Sequence, residues 1–308
     1  MILIDIMERL SRANHISWRQ YLGSFFILSW SVFFPFALAA AAIEVKDQNE
    51  AASDLVRAEL FSPNAWVQPG TCFHLWLRLT IAKGWHIYWK NPGDSGLPTE
   101  ISWRLPAGLQ LEEMLWPWPK RILAEEATSF GYEGEVFFLS RFSVSAAFPC
   151  PSAASLRAEI NYLVCREGCL PGSTSVEITL PVKSDRPTKK EMNPSLFDEA
   201  RLLFPEPLTG FNTRAEVKEE KIMIYFYPEG GRSLDLEGAE FFWETEGLAD
   251  YSAPPIWRQE NGSYLLELKR SAASAVWPPV IKAVLVLKSN ETKLGQKAFD
   301  LHIPVKNY

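Results

Sequence analysis

Alternation of apolar and polar side chains dominates the chain from residue 54 onward. Asp54 to Ser62 reads as a first strand. From Thr71 to Thr80 the alternation is clean, with Phe73, Leu75, Leu77 and Leu79 on one face and Cys72, His74, Trp76 and Arg78 on the other. A period of two assigns the first set to a core. Further strands are predicted at Thr99 to Leu105, Glu135 to Val144, Ser155 to Val164 and Ser173 to Val182, separated by turns rich in Gly, Pro and Asn. Short strands at this spacing, with no long amphipathic helix between them, predict an antiparallel sandwich.

Around Lys183 the pattern stops at KSDRPTKKEMNP, a polar, charged and proline-interrupted linker. It leads into Asn193 to Phe204, where Asn193 suits a helix cap, Pro194 the first helical position and Pro205 the stop, so one short helix is predicted. Strands return at Lys221 to Tyr227, Glu240 to Thr245, Ser263 to Leu268, Val280 to Leu287 and Lys297 to Val305. The second half follows the order of the first. ISWRLPAGLQLEEMLWPWP compares with FFWETEGLADYSAPPIWRQ, and each half closes on a similar strand, EITLPV and DLHIPV. The expectation is an all-β chain made by diverged tandem duplication, with sandwiches at 43–183 and 209–308 and a linker with a short helix at 184–208. Only the first copy carries cysteines.

Length and composition agree with two domains: 308 residues, 47% of them hydrophobic. A net charge of -6 without a Lys/Arg cluster argues against a nucleic-acid surface. The N-terminus reads as an export signal at 1–42. Arg9, Arg12 and Arg19 precede an apolar run from Tyr21 to Leu38, and Ala37-Leu38-Ala39 and Ala39-Ala40-Ala41 offer small-residue cleavage sites. Met7 is an alternative start that leaves a more basic leader. Cleavage near Ala39 to Ala42 is expected; retention as a membrane anchor is the alternative, since a run of about 18 residues just spans a bilayer.

Export into an oxidising compartment changes the meaning of the four cysteines. Cys165 and Cys169 sit where an alternating strand runs out into a loop, in YLVCREGCLPG. A bond between them closes a loop of only five residues, and chain entropy then gives about 2 kcal/mol of stabilisation. That is little for a staple, which favours redox work for a pair that a partner must reach. Arg166 offers a local positive charge, offset by Glu167. A structural disulfide and a metal site remain alternatives. Half a zinc site has this spacing, but Cys72, His74, His86, Cys150 and His302 are scattered, so no metal is expected; soft Cu(I) binding by the two thiolates stays open. For Cys72 and Cys150 a structural disulfide is expected, because so long a loop gains roughly 4 to 5 kcal/mol from closure; two separate thiols are the alternative.

Two other patterns are set aside. Gly93-Asp94-Ser95-Gly96 matches the nucleophile motif of chymotrypsin-like proteases, but Leu97 follows it and neither His74 nor His86 has the setting of the base, so a tight polar turn after Asn91-Pro92 is predicted. The aromatic set Trp85, Tyr88, Trp89, Trp103, Trp116 and Trp118 reads as sandwich core and rim rather than a sugar platform.

Taken in order, GWHIYWKNPGDSGLPTEISWRLPAGL, WPWPKR, GYEGEVFFL and NYLVCREGCLPGSTSVEITLPV resemble the N-terminal periplasmic domain of the DsbD/ScsB family of thiol:disulfide interchange proteins. The resemblance covers about Asp54 to Val182; the second half is similar to the additional sandwich of ScsB-like members. It implies immunoglobulin-like sandwiches and a protein-disulfide reductase component without a cofactor. Electrons would pass from a membrane-embedded thiol reductase, expected on a separate chain, to periplasmic thioredoxin-like proteins. By the same resemblance Cys169 is the attacking thiol, Cys165 resolves the mixed disulfide, and an aromatic cap loop falls at Phe130 or Tyr132. A different class of function remains beside it: a non-catalytic binding or assembly module with a structural disulfide.

Overall fold

The computed structural model describes residues 52–124, 127–189, 194–272 and 277–306. The export signal, its cleavage site and the Asn193 cap lie outside them. Ten strands form the first half: β1 (Val56–Phe61), β2 (Cys72–Ile81), β3 (His86–Gly93), β4 (Glu100–Arg104), β5 (Leu109–Leu115), β6 (Lys120–Ala124), β7 (Ala127–Glu133), β8 (Glu135–Val144), β9 (Ser152–Cys165) and β10 (Cys169–Val182). One sheet has the order β1-β2-β8-β5; the other runs β10-β9-β3-β7-β6, with β4 also paired to β9. Leu77, Leu79 and Phe138 of the first sheet share a buried cluster with Ile87, Ala158 and Ile160 of the second. The alternation of β2 dictates this, since Phe73, Leu75, Leu77 and Leu79 are all buried.

The opposite face of β2 is not simply solvent. Trp76 is buried there with Phe137, Phe197, Ala200 and Phe204, because the helix α1 (Pro194–Arg201) and the turn after it lie over the outer side of the sheet. Phe197 and Phe204 put their rings 5.1 and 5.8 Å from that of Trp76. The linker helix thus covers what periodicity alone assigns to the surface.

The second half consists of β11 (Glu206–Pro207), β12 (Phe211–Val217), β13 (Lys221–Pro228), β14 (Glu240–Trp243), β15 (Ile256–Glu260), β16 (Ser263–Lys269), β17 (Val280–Lys288) and β18 (Gln296–Lys306). They follow one path, β14-β17-β18-β12-β13-β16-β15, with β11 beside β18. Its two arms are joined by only two parallel pairs, Ala215↔Val305 and Glu216↔Lys306. Phe241, Trp243 and Leu285 of one arm and Ile222, Phe226 and Leu266 of the other are buried in a common cluster. The whole is an all-β architecture of packed sheets. The strands carrying EITLPV and DLHIPV, β10 and β18, each pair antiparallel with the long strand before them.

Two features of the first half control where its chemistry sits. β9 and β10 form a hairpin of fourteen register pairs ending at Cys165↔Cys169. β3 is irregular: it pairs with β7 at Tyr88↔Gly131 and again at Gly93↔Ser129, so Trp89 to Pro92 stand opposite Phe130 alone. Gly131 permits the close approach there, since a Cβ would fall 2.2 Å from the Ile87 carbonyl oxygen.

In the second half, Asp250 accepts from Lys269 Nζ at 2.8 Å and from Ser252 Oγ at 2.6 Å. These bonds pull its carboxyl down to about 2.

Two measurements follow from this packing. Gly131→Ala should lower stability by about 1–3 kcal/mol through overpacking, whereas Gly168→Ala, with open space around it, should stay within about 0.5 kcal/mol; urea midpoints compare them. Because the folded carboxyl of Asp250 titrates below its ordinary 3.8, its contribution is complete above that value and is lost as pH falls toward about 2. The midpoint difference between wild type and Asp250→Asn should therefore be constant above about pH 5 and close by about pH 2.

Candidate functional site

Cys165 ends β9 and Cys169 opens β10, and their sulfurs are bonded at 2.02 Å. The three residues between them, Arg166 to Gly168, form the tip of the hairpin, closed by Arg166 N–H donating to the Gly168 carbonyl at 3.1 Å. Strand alternation and the tip geometry make the two sulfurs unequal. Cys165 is buried, 2% exposed, while Cys169 is exposed. An attacking thiolate therefore meets Cys169 first.

Beneath the pair stands Tyr88 of β3. Its hydroxyl donates to Cys165 Sγ at 3.3 Å and lies 3.9 Å from Cys169 Sγ. Burial raises the Tyr88 phenol above its ordinary range, with Ser95 pulling it back, so at neutral pH it is a proton donor. His86 is the register partner of Cys165 and meets the Tyr88 ring edge-on at 5.2 Å. Burial lowers the imidazole, against an opposing pull from Glu133, so it is neutral at pH 7 and brings no cation to the sulfurs. The guanidinium of Arg166 rests over the Trp85 ring at 5.0 Å.

The Gly93–Gly96 turn, excluded above as a protease motif, wraps this tyrosine. Gly96 is so close to the Tyr88 ring that a Cβ would fall 2.3 Å from it. Asp94 N–H donates to the Thr128 carbonyl and Thr128 N–H to Asp94 Oδ2, both at 2.9 Å. Thr99 Oγ1 donates to the Tyr88 carbonyl at 2.6 Å. The ring that reaches the disulfide thus has the following turn packed against it, and its backbone is tied to Thr99.

Two expectations are corrected. Phe130 and Tyr132 do not cap the disulfide. They lie on strand β7, 1% and 5% exposed, and their rings pack on Phe242 and Tyr251 and on Phe138 respectively, while the Tyr132 hydroxyl donates to the Pro117 carbonyl. The aromatic group at the sulfurs is Tyr88, which local spacing could not single out because it lies 77 residues from Cys165. Cys72 and Cys150 are not a disulfide either; both are free and exposed. Cys72 opens β2 on the face turned away from the core, opposite Ser143, and Cys150 Sγ lies 3.9 Å from the Val182 carbonyl at the end of β10 in the other sheet. A bond would have to cross from the outer side of one sheet to the edge of the other.

Residues 53–181 match the sequence model of the family described as thiol:disulfide interchange protein DsbD, N-terminal. Among solved structures, the N-terminal periplasmic domain of ScsB from Proteus mirabilis is similar at 14% identity and a TM-score of 0.53, covering 82% of this chain and 95% of that one. That likeness extends the shared fold through both halves. The sporulation control protein Spo0M from Bacillus subtilis matches at 10% identity and a TM-score of 0.24, covering 81% and 90%. The major pilin subunit BcpA of Bacillus cereus matches at 11% and 0.26, covering 82% and 69%. No curated protein matches.

The cysteine assignment is checked by alkylation and mass spectrometry of the folded protein. Without reductant, Cys72 and Cys150 should take up a maleimide and Cys165 and Cys169 should not; after reduction, Cys169 should label before Cys165.

Proposed function

With residues 53–181 forming a DsbD N-terminal domain, we propose that this protein is a periplasmic thiol–disulfide exchange module working through Cys165 and Cys169. One observation carries the reading: the bond joins an exposed sulfur to a buried one that already has a hydrogen-bond donor. Its donor would be a membrane-embedded thiol reductase and its acceptors thioredoxin-like periplasmic proteins.

In the loading step, a thiolate of the donor attacks Cys169 Sγ. The S–S bond breaks, its electron pair leaves on Cys165 Sγ, and the new bond joins Cys169 to the donor. The Tyr88 hydroxyl donates to the departing Cys165 thiolate, the form that gains most from a hydrogen bond. The second thiolate of the donor then attacks its own sulfur in the mixed disulfide. The donor leaves oxidised, and Cys165 and Cys169 take up two protons as a dithiol.

Delivery runs in reverse. The Cys169 thiolate attacks an acceptor disulfide and releases one acceptor thiolate. Cys165 then attacks Cys169 Sγ, restoring the internal bond and freeing the second acceptor sulfur. Cys169 is the nucleophile because it is the exposed member of the pair, and Cys165 resolves because it is within bonding distance and shielded from other thiols.

Exchange with a reduced thioredoxin-like donor, followed by stopped flow and by gel-resolved mixed disulfides, tests this. Cys169→Ser should abolish exchange, Cys165→Ser should trap a mixed disulfide through Cys169 when mixed instead with an oxidised thioredoxin-like acceptor, and Tyr88→Phe should slow release of Cys165 by about tenfold, the equivalent of ~1.4 kcal/mol. Wild-type exchange by both cysteine variants would refute the proposal.

A further inference from the structure

Asn91 is completely buried, 0% exposed, and both polar atoms of its side chain are engaged. Nδ2 donates to the Trp243 carbonyl at 2.8 Å and to the Tyr251 hydroxyl at 3.1 Å, with the Thr245 carbonyl at 3.4 Å; Oδ1 accepts from Gly93 N–H at 3.0 Å. The donor side therefore belongs to the second half of the chain and the acceptor side to the turn over Tyr88. Its neighbours in β3 reach the same place. Trp89 meets the Phe242 ring edge-on at 6.4 Å, and Lys90 is ion-paired with Glu244. Arg121 of β6 adds a bond to the Tyr251 carbonyl at 3.1 Å.

These contacts fall on the irregular segment of β3. The ladder to β7 breaks after Tyr88 and resumes at Gly93, so no strand pairing holds Trp89 to Pro92. Trp89, Lys90 and Asn91 instead make their contacts with Phe242, Glu244, Trp243 and Tyr251. Tyr88 is the last paired residue before the break, and the turn that encloses its ring starts at the first paired residue after it. An apolar seam would join two halves at lower desolvation cost than a buried amide. What the amide adds is direction, because each of its bonds has a defined geometry.

Building on the exchange reading above, we propose that the second half of the chain, which has no cysteine, is a working part of the disulfide site. Asn91 is its positioning residue: anchored on Trp243 and Tyr251, it sets the bulge in β3 and so holds the Tyr88 hydroxyl at Cys165. Loosening that anchor lets the hydroxyl withdraw from the sulfur. The Cys165 thiolate then loses its donor, so reduction becomes less favourable and exchange slower.

The full-length protein tests this with Tyr251→Phe, which deletes one hydroxyl and keeps the ring against Phe130, and with Asn91→Ser, each made in wild-type and Tyr88→Phe backgrounds. Three quantities are read: the equilibrium constant for reduction by glutathione, the rate of reduction by a thioredoxin-like donor, and the urea midpoint. In the wild-type background the constant and the rate should each fall by about three- to tenfold, the upper figure equal to about 30 mV. With Tyr88→Phe present they should not fall further, because the anchor acts through that hydroxyl.

Equal losses in both backgrounds, or a shifted midpoint with unchanged constant and rate, overturn the proposal. If Asn91→Ser does not fold, Tyr251→Phe decides alone. The glutathione constant needs no protein partner, so it judges the anchor even if the wild type fails to exchange with the donor. That failure would count against the proposed function, whereas a wild type that exchanges with unresponsive anchor variants would count against the anchor.

Discussion

The ladder between β9 and β10 is the constraint on which the site depends. Fourteen register pairs hold two long strands so that their last pair is Cys165 and Cys169. The two sulfurs are bonded across that pair, and the tip presents Cys169 to solvent while β9 keeps Cys165 against the sheet. Gly172 belongs to the same arrangement. It lies opposite Tyr162, whose ring occupies the space a Cβ would need, and the Tyr162 hydroxyl donates to the Ala52 carbonyl at 3.2 Å. The hairpin is thus fixed to the sheet by the alternate buried residues of β9, from Ala154 to Val164, and carries its chemistry at the tip.

A rigid hairpin alone would leave the buried sulfur without a polar neighbour. That neighbour comes from β3, the strand next to β9, and β3 is regular only as far as Tyr88. Beyond it the chain leaves the ladder, crosses to Trp243 and Tyr251, and returns through the glycine turn that closes over the tyrosine ring. Backbone hydrogen bonds, the cheapest way to fix a position in a sheet, are exchanged here for side-chain ones to another part of the molecule. Such a substitution couples two regions that share no cysteine and no strand.

The strands easiest to read were those with strict alternation and clear turns: β8 spans Glu135 to Val144 as expected, and β2, β9, β10, β13, β16, β17 and β18 differ only at their ends. β3 was not legible as a strand. Trp85 to Trp89 are aromatic on both faces, because one face meets the sandwich core and the other meets the sulfurs or the second half, and Asn91-Pro92 reads as a turn. Trp76 misled in the opposite sense, since its outward face is covered by a helix whose docking no local pattern reveals. Tandem sulfurs four residues apart announced themselves; Tyr88, 77 residues away, did not.

By itself the sequence determined the local matters: period-two strands, the linker helix, and a cysteine pair too closely spaced to be useful as a staple. Each depends on residues within a few positions of one another, where covalent geometry limits the outcomes. The tertiary structure decided what those elements face. Register placed Tyr88 rather than Phe130 or Tyr132 at the disulfide, and the separation of two sheets left Cys72 and Cys150 as free thiols. The engagement of Asn91 by the second half was also a tertiary decision. Such pairings depend on how whole strands align and stack, and many alignments satisfy the same alternation until the core is packed.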